Sequence, residues 1–142
     1  MKRSILVIEE NRSLRYLITT LFTNIYIVRS VENNRQAMLL FNSGYNADLI
    51  ILDVADMKSE NLELLEHVST SSIFSNVPVI VLSSSHDEDL KNICLQSGAN
   101  DFLTKPFNPV YLFEKADELL LSEHIPDVIH KRKRLFSNLN IF

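Results

Sequence analysis

A single cysteine, Cys94, leaves this chain without the means to form an internal disulfide. It sits among Leu90, Ile93 and Leu95 in a helical pattern, where a thiol reads as a small buried hydrophobe. No N-terminal apolar run reaches signal-peptide or membrane-spanning length, so the expectation is a cytoplasmic protein with no membrane span. Positive charge is not in excess either. A formal charge of -4 argues against a whole-domain nucleic-acid binder, although one basic run near the end needs separate treatment. Glycine is scarce, with two residues in all. Both, Gly44 and Gly98, follow helical patterns, where freedom at positive φ suits a helix stop. No internal repeat or low-complexity segment is present.

What is present is 46% apolar residues over 142 positions, enough to bury one real core in one domain. The stretch Asp48-Leu-Ile-Ile-Leu-Asp53 organises the rest. Four apolar residues between two carboxylates predict a strand buried on both faces, as in the centre of a parallel sheet. Asp53 then stands where that strand ends. In open α/β sheets the reactive groups gather outside the carboxyl ends of the strands. Taken alone, a strand-end aspartate serves as readily to cap the following loop.

In chain order, short β-type runs alternate with helical patterns. Strands are predicted over Ser4 to Ile8, Ile25 to Val28, Asp48 to Asp53, Val79 to Leu82 and Asp101 to Thr104. Helices are predicted over Arg12 to Thr23, around Ala37 to Phe41, over Glu60 to Ser71, over Asp87 to Ser97, and from Asn108, a good cap before Pro109. Strands separated by helical crossovers pair in parallel, which predicts a doubly wound α/β sandwich of five βα units. Its strand ends carry Glu9 and Glu10, Asp53, Ser83 and Lys105. Each is explicable as a solvated charge or cap; their joint placement on one edge is harder to dismiss.

At these residues the chain resembles the receiver domain of two-component response regulators. The matching pieces are Ile5-Leu-Val-Ile-Glu-Glu10, Asp48 to Asp53, Pro78-Val-Ile-Val-Leu-Ser83 and Gly98-Ala-Asn-Asp-Phe-Leu-Thr-Lys-Pro-Phe107. The resemblance implies a CheY-like (flavodoxin-like) five-stranded parallel sheet of order 2-1-3-4-5 with a receiver over residues 1–124. It implies that Asp53 accepts a phosphoryl group from a histidine kinase or phosphotransfer protein. It further implies Mg²⁺ held by Glu10, Asp53 and the Ala55 carbonyl, with Glu9 acting through water. Lys105, the Ser83 hydroxyl and the Ser84 amide would contact phosphoryl oxygens, and the bond before Pro106 would be cis. Output would pass through Ser83 and Phe102 to a protein target on the face of helix 4, strand 5 and helix 5. Beside that role, Phe102 also reads as ordinary core. Such a domain is a switch and not an enzyme beyond autophosphorylation and autodephosphorylation.

Several positions depart from the family pattern. Glu10 stands where Asp is usual, and the extra methylene, about 1.5 Å of reach, predicts weakened Mg²⁺ binding. Met57 replaces a usual Pro, Asn61 a usual Gly, and Asp56 adds an acid beside the site. These departures support an alternative, a degenerate receiver acting as a phosphorylation-independent interaction module. A haloacid-dehalogenase-type phosphatase would want a second Asp two residues after Asp53; position 55 is Ala, and Asp56 is one residue too far.

Beyond the receiver, residues 125–142 carry Ile125, Val128, Ile129, Leu135, Phe136, Leu139 and Phe142 at helical spacing. This predicts an amphipathic tail helix whose apolar face would be covered by its own domain or by a second copy in a homodimer. Its run His130-Lys-Arg-Lys-Arg134 reads as a solvated face, a contact to an acidic partner or second copy, or a nucleic-acid or lipid contact.

Overall fold

In the computed structural model, residues 2–74 and 76–121 are described. The expected tail helix and the contact assigned to it lie outside those residues. Within them, five strands and five helices alternate: β1 (Ser4–Ile8), α1 (Arg12–Phe22), β2 (Ile27–Val31), α2 (Asn34–Asn42), β3 (Leu49–Asp53), α3 (Glu60–Thr70), β4 (Val79–Ser83), α4 (Glu88–Gln96), β5 (Asp101–Thr104) and α5 (Pro109–Leu121). The strands pair in parallel in the order β2-β1-β3-β4-β5. This is the doubly wound three-layer sandwich that the alternation of patterns predicted.

Residue alternation along the strands builds the two outer layers. Leu6, Ile8, Ile50, Leu52, Val79 and Val81 face one core, closed by α2, α3 and α4. Ile5, Val7, Leu49, Ile51, Ile80 and Leu82 face the other, closed by α1 and α5. Each such side chain contributes about 1.5–3 kcal/mol on full burial. Both faces of β3 are therefore committed, and its register is fixed by two cores at once. Cys94 is buried in the first core, and burial pushes its thiol up to about 11.

Polar side chains set where the helices begin. Asn11, Asn33, Ser59 and Asp87 each cap a helix by accepting a backbone N–H two or three residues on. Asn108 does the same for α5, accepting from Val110 at 2.8 Å.

One predicted strand is shifted. The sequence pattern placed β2 at Ile25 to Val28, but it runs from Ile27 to Val31. The cause is the end of α1: the N–H groups of Ile25 and Tyr26 both donate to the Phe22 carbonyl, so the chain is still turning there. Pairing with β1 starts only at Ser4 opposite Ile27. As an edge strand β2 tolerates exposed Arg29 and Ser30, so its later half carries Val31 as its single apolar signal.

Gly98 is where a glycine is required, between α4 and β5. Its φ is +112°, and an added Cβ would stand 2.1 Å from Ser69 Oγ and 2.7 Å from Ser69 Cβ. Strain and overpacking each cost about 1–3 kcal/mol. Gly98→Ala is therefore expected to lower stability by at least ~2 kcal/mol in urea unfolding. The double variant with Ser69→Gly should regain only the overpacking share, since the positive φ persists.

Candidate functional site

The carboxyl ends of β1, β3 and β5 bring three charged side chains together. The Lys105 ammonium lies 2.6 Å from Glu9 Oε1 and 2.9 Å from Asp53 Oδ1. Glu9 follows β1, Asp53 ends β3 and Lys105 follows β5, so the sheet order itself makes this meeting. The backbone aims the lysine. Its N–H donates to the Ser83 carbonyl at 2.7 Å, and the Lys105–Pro106 peptide is cis, as the resemblance implied.

Glu9 is only 1% exposed, an uncommon state for a carboxylate without a countercharge. Its Oε2 accepts the Asn11 N–H at 3.0 Å. Its Oε1 is buried, with the Lys105 ammonium as its close neighbour. Burial by itself would lower the Lys105 pKa. Hydrogen bonds to Glu9 and Asp53, with the charges of both, outweigh burial and hold it above the ordinary lysine value.

The other expected residues are placed less uniformly. Ser83 is fully buried beside the lysine backbone, but its hydroxyl accepts the Ser85 N–H at 3.1 Å and does not reach Asp53. Ser84 and Ala55 are exposed at the rim. Phe102 is 7% exposed and already packed into the core under α3 and α4. Asp56 turns back on its own loop, accepting the Lys58 N–H at 2.8 Å. Glu10 is exposed, and the structure does not bring it to the carboxylate pair. Among the described residues, no three His, Cys, Asp or Glu side chains are grouped to hold a metal ion. The donors at hand are oxygens, which suits a hard cation such as Mg²⁺. Glu10, which the resemblance implies as a ligand, is turned away from these donors and would have to turn inward to join them.

Two residues that build the site went unread in the sequence. Arg15 donates to the carbonyls of Glu9 at 2.8 Å and Glu10 at 3.3 Å, and pairs with Glu32 at 3.7 Å, so α1 holds the acidic loop. Its position four residues after the cap Asn11, facing back over the first turn, was the available signal. Asn61 was noticed only as a departure; its amide donates to the Asp53 carbonyl at 2.7 Å.

The arrangement has a plain electrostatic meaning. Two carboxylates share one ammonium, so the cluster carries one net negative charge as it stands. A dianionic phosphoryl group approaching Asp53 would be repelled unless further positive charge entered. A metal ion supplies that charge when bound.

Known proteins agree with this fold. The response regulator receiver domain family matches residues 5–117, and the chain belongs to that family. Over 82 residues it is 37% identical to two-component response regulator ORR5 of Oryza sativa subsp. japonica, covering 58% of this chain and 61% of the relative. It is 26% identical over 119 residues to hybrid signal transduction histidine kinase D of Dictyostelium discoideum, covering 84% of this chain and 8% of that protein. A response regulator structure from Thermotoga maritima superposes with a TM-score of 0.74 at 26% identity, covering 84% of this chain and 98% of the other. The chain thus spans about 61% of the length of the first of these relatives. Receiver domains are phosphoacceptor switches in two-component signalling and bind Mg²⁺ at their acidic edge. No helix among the described residues is long and apolar enough to cross a membrane.

Proposed function

We propose that this domain accepts a phosphoryl group on Asp53 from the phosphohistidine of a kinase or phosphotransfer protein, in the cytoplasm, and signals by binding a protein target. The observation that carries the proposal is the Lys105 ammonium at 2.9 Å from the Asp53 carboxylate at the sheet's carboxyl edge. As an Asp53 oxygen bonds to phosphorus, the phosphorus–nitrogen bond of the donor breaks and the imidazole departs. Protein catalysis of such a transfer is mainly positioning and charge neutralisation. Lys105 moves its contact from the carboxylate pair to a phosphoryl oxygen. Ser83, released from Ser85, donates its hydroxyl to a second oxygen, and the Ser84 amide to a third.

Glu10, Asp53 and the Ala55 carbonyl would hold Mg²⁺, with Glu9 accepting a hydrogen bond from a bound water. The ion would neutralise charge on the transferring group. Phosphorylation then alters the face of α4, β5 and α5 through Ser83 and Phe102. Tyr111 on that face donates to Asp101 at 2.8 Å, and this bond, with burial and nearby carboxylates, pushes its phenol up to about 12. Self-association is assigned to residues 125–142, whose apolar spacing would otherwise expose a hydrophobic stripe.

The test is incubation with Mg²⁺ and a small phosphodonor, followed by intact mass and peptide mapping. One phosphoryl mass on the peptide carrying Asp53 is expected, and chelation should prevent it. A protein that stays at its starting mass under conditions that modify another receiver would overturn the proposal. Glu10→Asp is expected to lower the half-saturating Mg²⁺ concentration several-fold in an NMR titration. Unchanged or weaker affinity would mean that the pocket is already adapted to the longer side chain.

A further inference from the structure

The peptide that follows Asp53 is gripped from both sides, and one grip comes from a side chain. Pairing between β1 and β3 ends with Ile8 opposite Leu52, one residue short of Asp53. On the other side the ladder continues, with Asp53 opposite Leu82 and the Val54 N–H donating to the Leu82 carbonyl at 2.9 Å. The Asp53 carbonyl therefore lies just past the last pair with β1. Asn61 Nδ2 meets it at 2.7 Å from the first turn of α3. Asn61 is itself held there. Its backbone N–H donates to the capping hydroxyl of Ser59 at 3.2 Å, and the next residue, Leu62, is buried in the core under α3.

We propose that Asn61 is a positioning residue for Asp53: by binding the carbonyl of the acceptor residue it fixes the peptide plane, and with it the direction of the Asp53 carboxylate toward Lys105. The inference rests on Asp53 as the phosphoacceptor, but its geometric part does not. With the N–H of Val54 and the carbonyl of Asp53 both bound, the peptide between them cannot rotate without losing a hydrogen bond. Without Asn61, one side of that plane is released. The carboxylate leaves from the Cα adjoining the same peptide, so its aim loosens with the plane. Misplacement by about 1 Å costs on the order of a hundredfold in rate. A loosened but still populated aim should cost roughly tenfold. Asn61 touches neither the reacting atoms nor a cation, so its effect belongs to the transfer rate and not to donor binding.

Asn61→Ala removes the tether. Val68→Ala, a buried change two turns along α3, serves as a control that only weakens packing. Two quantities are read in each protein. The first is the rate of phosphoryl gain across a range of small-phosphodonor concentrations. The second is the carboxyl ¹³C resonance of Asp53 in metal-free protein, which reports its contact with Lys105. Asn61→Ala should lower the limiting rate roughly tenfold, keep the half-saturating donor concentration within about twofold, and shift the Asp53 resonance. Val68→Ala should lower the thermal midpoint and leave both the resonance and the limiting rate near those of the unaltered protein. An unmoved resonance in Asn61→Ala, or an equal movement in Val68→Ala, would overturn the positioning role. If the unaltered protein takes up no phosphoryl group, the acceptor reading fails by that result, and the resonance comparison still decides whether Asn61 positions Asp53.

Discussion

Asp53→Asn should gain no phosphoryl mass under any donor concentration while remaining folded. The two halves of this expectation have separate causes. An amide oxygen lacks the charge that makes a carboxylate attack phosphorus, so the acceptor chemistry disappears. The fold, by contrast, loses little. Lys105 keeps Glu9 at 2.6 Å, and the buried carboxylate keeps its countercharge. Removing Asp53's charge converts a cluster with one excess negative charge into a neutral pair, relieving repulsion between two carboxylates that share one ammonium. The change in unfolding free energy is expected to stay within about 1 kcal/mol, the scale of a partly exposed pair. Intact mass and urea unfolding on the same sample check both halves. Continued gain of phosphoryl mass would move the acceptor elsewhere, with the exposed Asp56 the nearest other carboxylate in sequence.

The contrast among site residues follows from what sequence pattern encodes. Asp53 was legible because it closes a strand whose apolar run marks its own end; Lys105 follows the shorter and less apolar β5, and the order of parallel strands brings the two together. Buried strands announce themselves; β3 and β4 are almost wholly apolar because both faces are covered. The edge strand β2 does not, since Arg29 and Ser30 face water there, and its predicted start fell inside the turn that closes α1. Side-chain direction was less legible still. By pattern alone Glu9 and Glu10 are two acids at one strand end, yet successive residues there point different ways. Glu9 is buried under the lysine, and Glu10 faces solvent. Asn61 stands eight residues from Asp53 in the first turn of α3, off its apolar stripe, and only the folded chain brings its amide to the acceptor's carbonyl. Periodicity reports which face of an element is buried; it carries no information on which polar side chain at a helix start reaches back to a neighbouring strand.

Lys105→Met is expected to damage both stability and chemistry, because one ammonium performs two tasks. In the folded protein it neutralises Glu9, whose side chain is 2% exposed, and Asp53, whose side chain is 14% exposed. A methionine of similar length fills the space but leaves a buried carboxylate with the Asn11 N–H as its one aligned donor. Breaking a buried pair by removing one partner costs about 3–5 kcal/mol. The lower end applies here, since Asp53 is partly solvated and Lys105 itself retains some exposure. A loss of about 3 kcal/mol in urea unfolding at neutral pH is expected. The pH dependence distinguishes this cause from poor packing. Lys105's pKa is raised in the folded state, so its contribution is complete below the ordinary lysine value and fades as pH climbs through the higher folded one. The gap between the two proteins should therefore hold steady through neutral pH and narrow only above about pH 10.4. A packing defect would leave the gap unchanged there. Phosphoryl gain should fall by at least ~100-fold, the scale of removing one preorganised charge donor from a transition state. If Lys105→Met instead accepts phosphoryl groups at the unaltered rate, Lys105 serves only to neutralise Glu9, and the charge that faces the phosphoryl group must come from elsewhere.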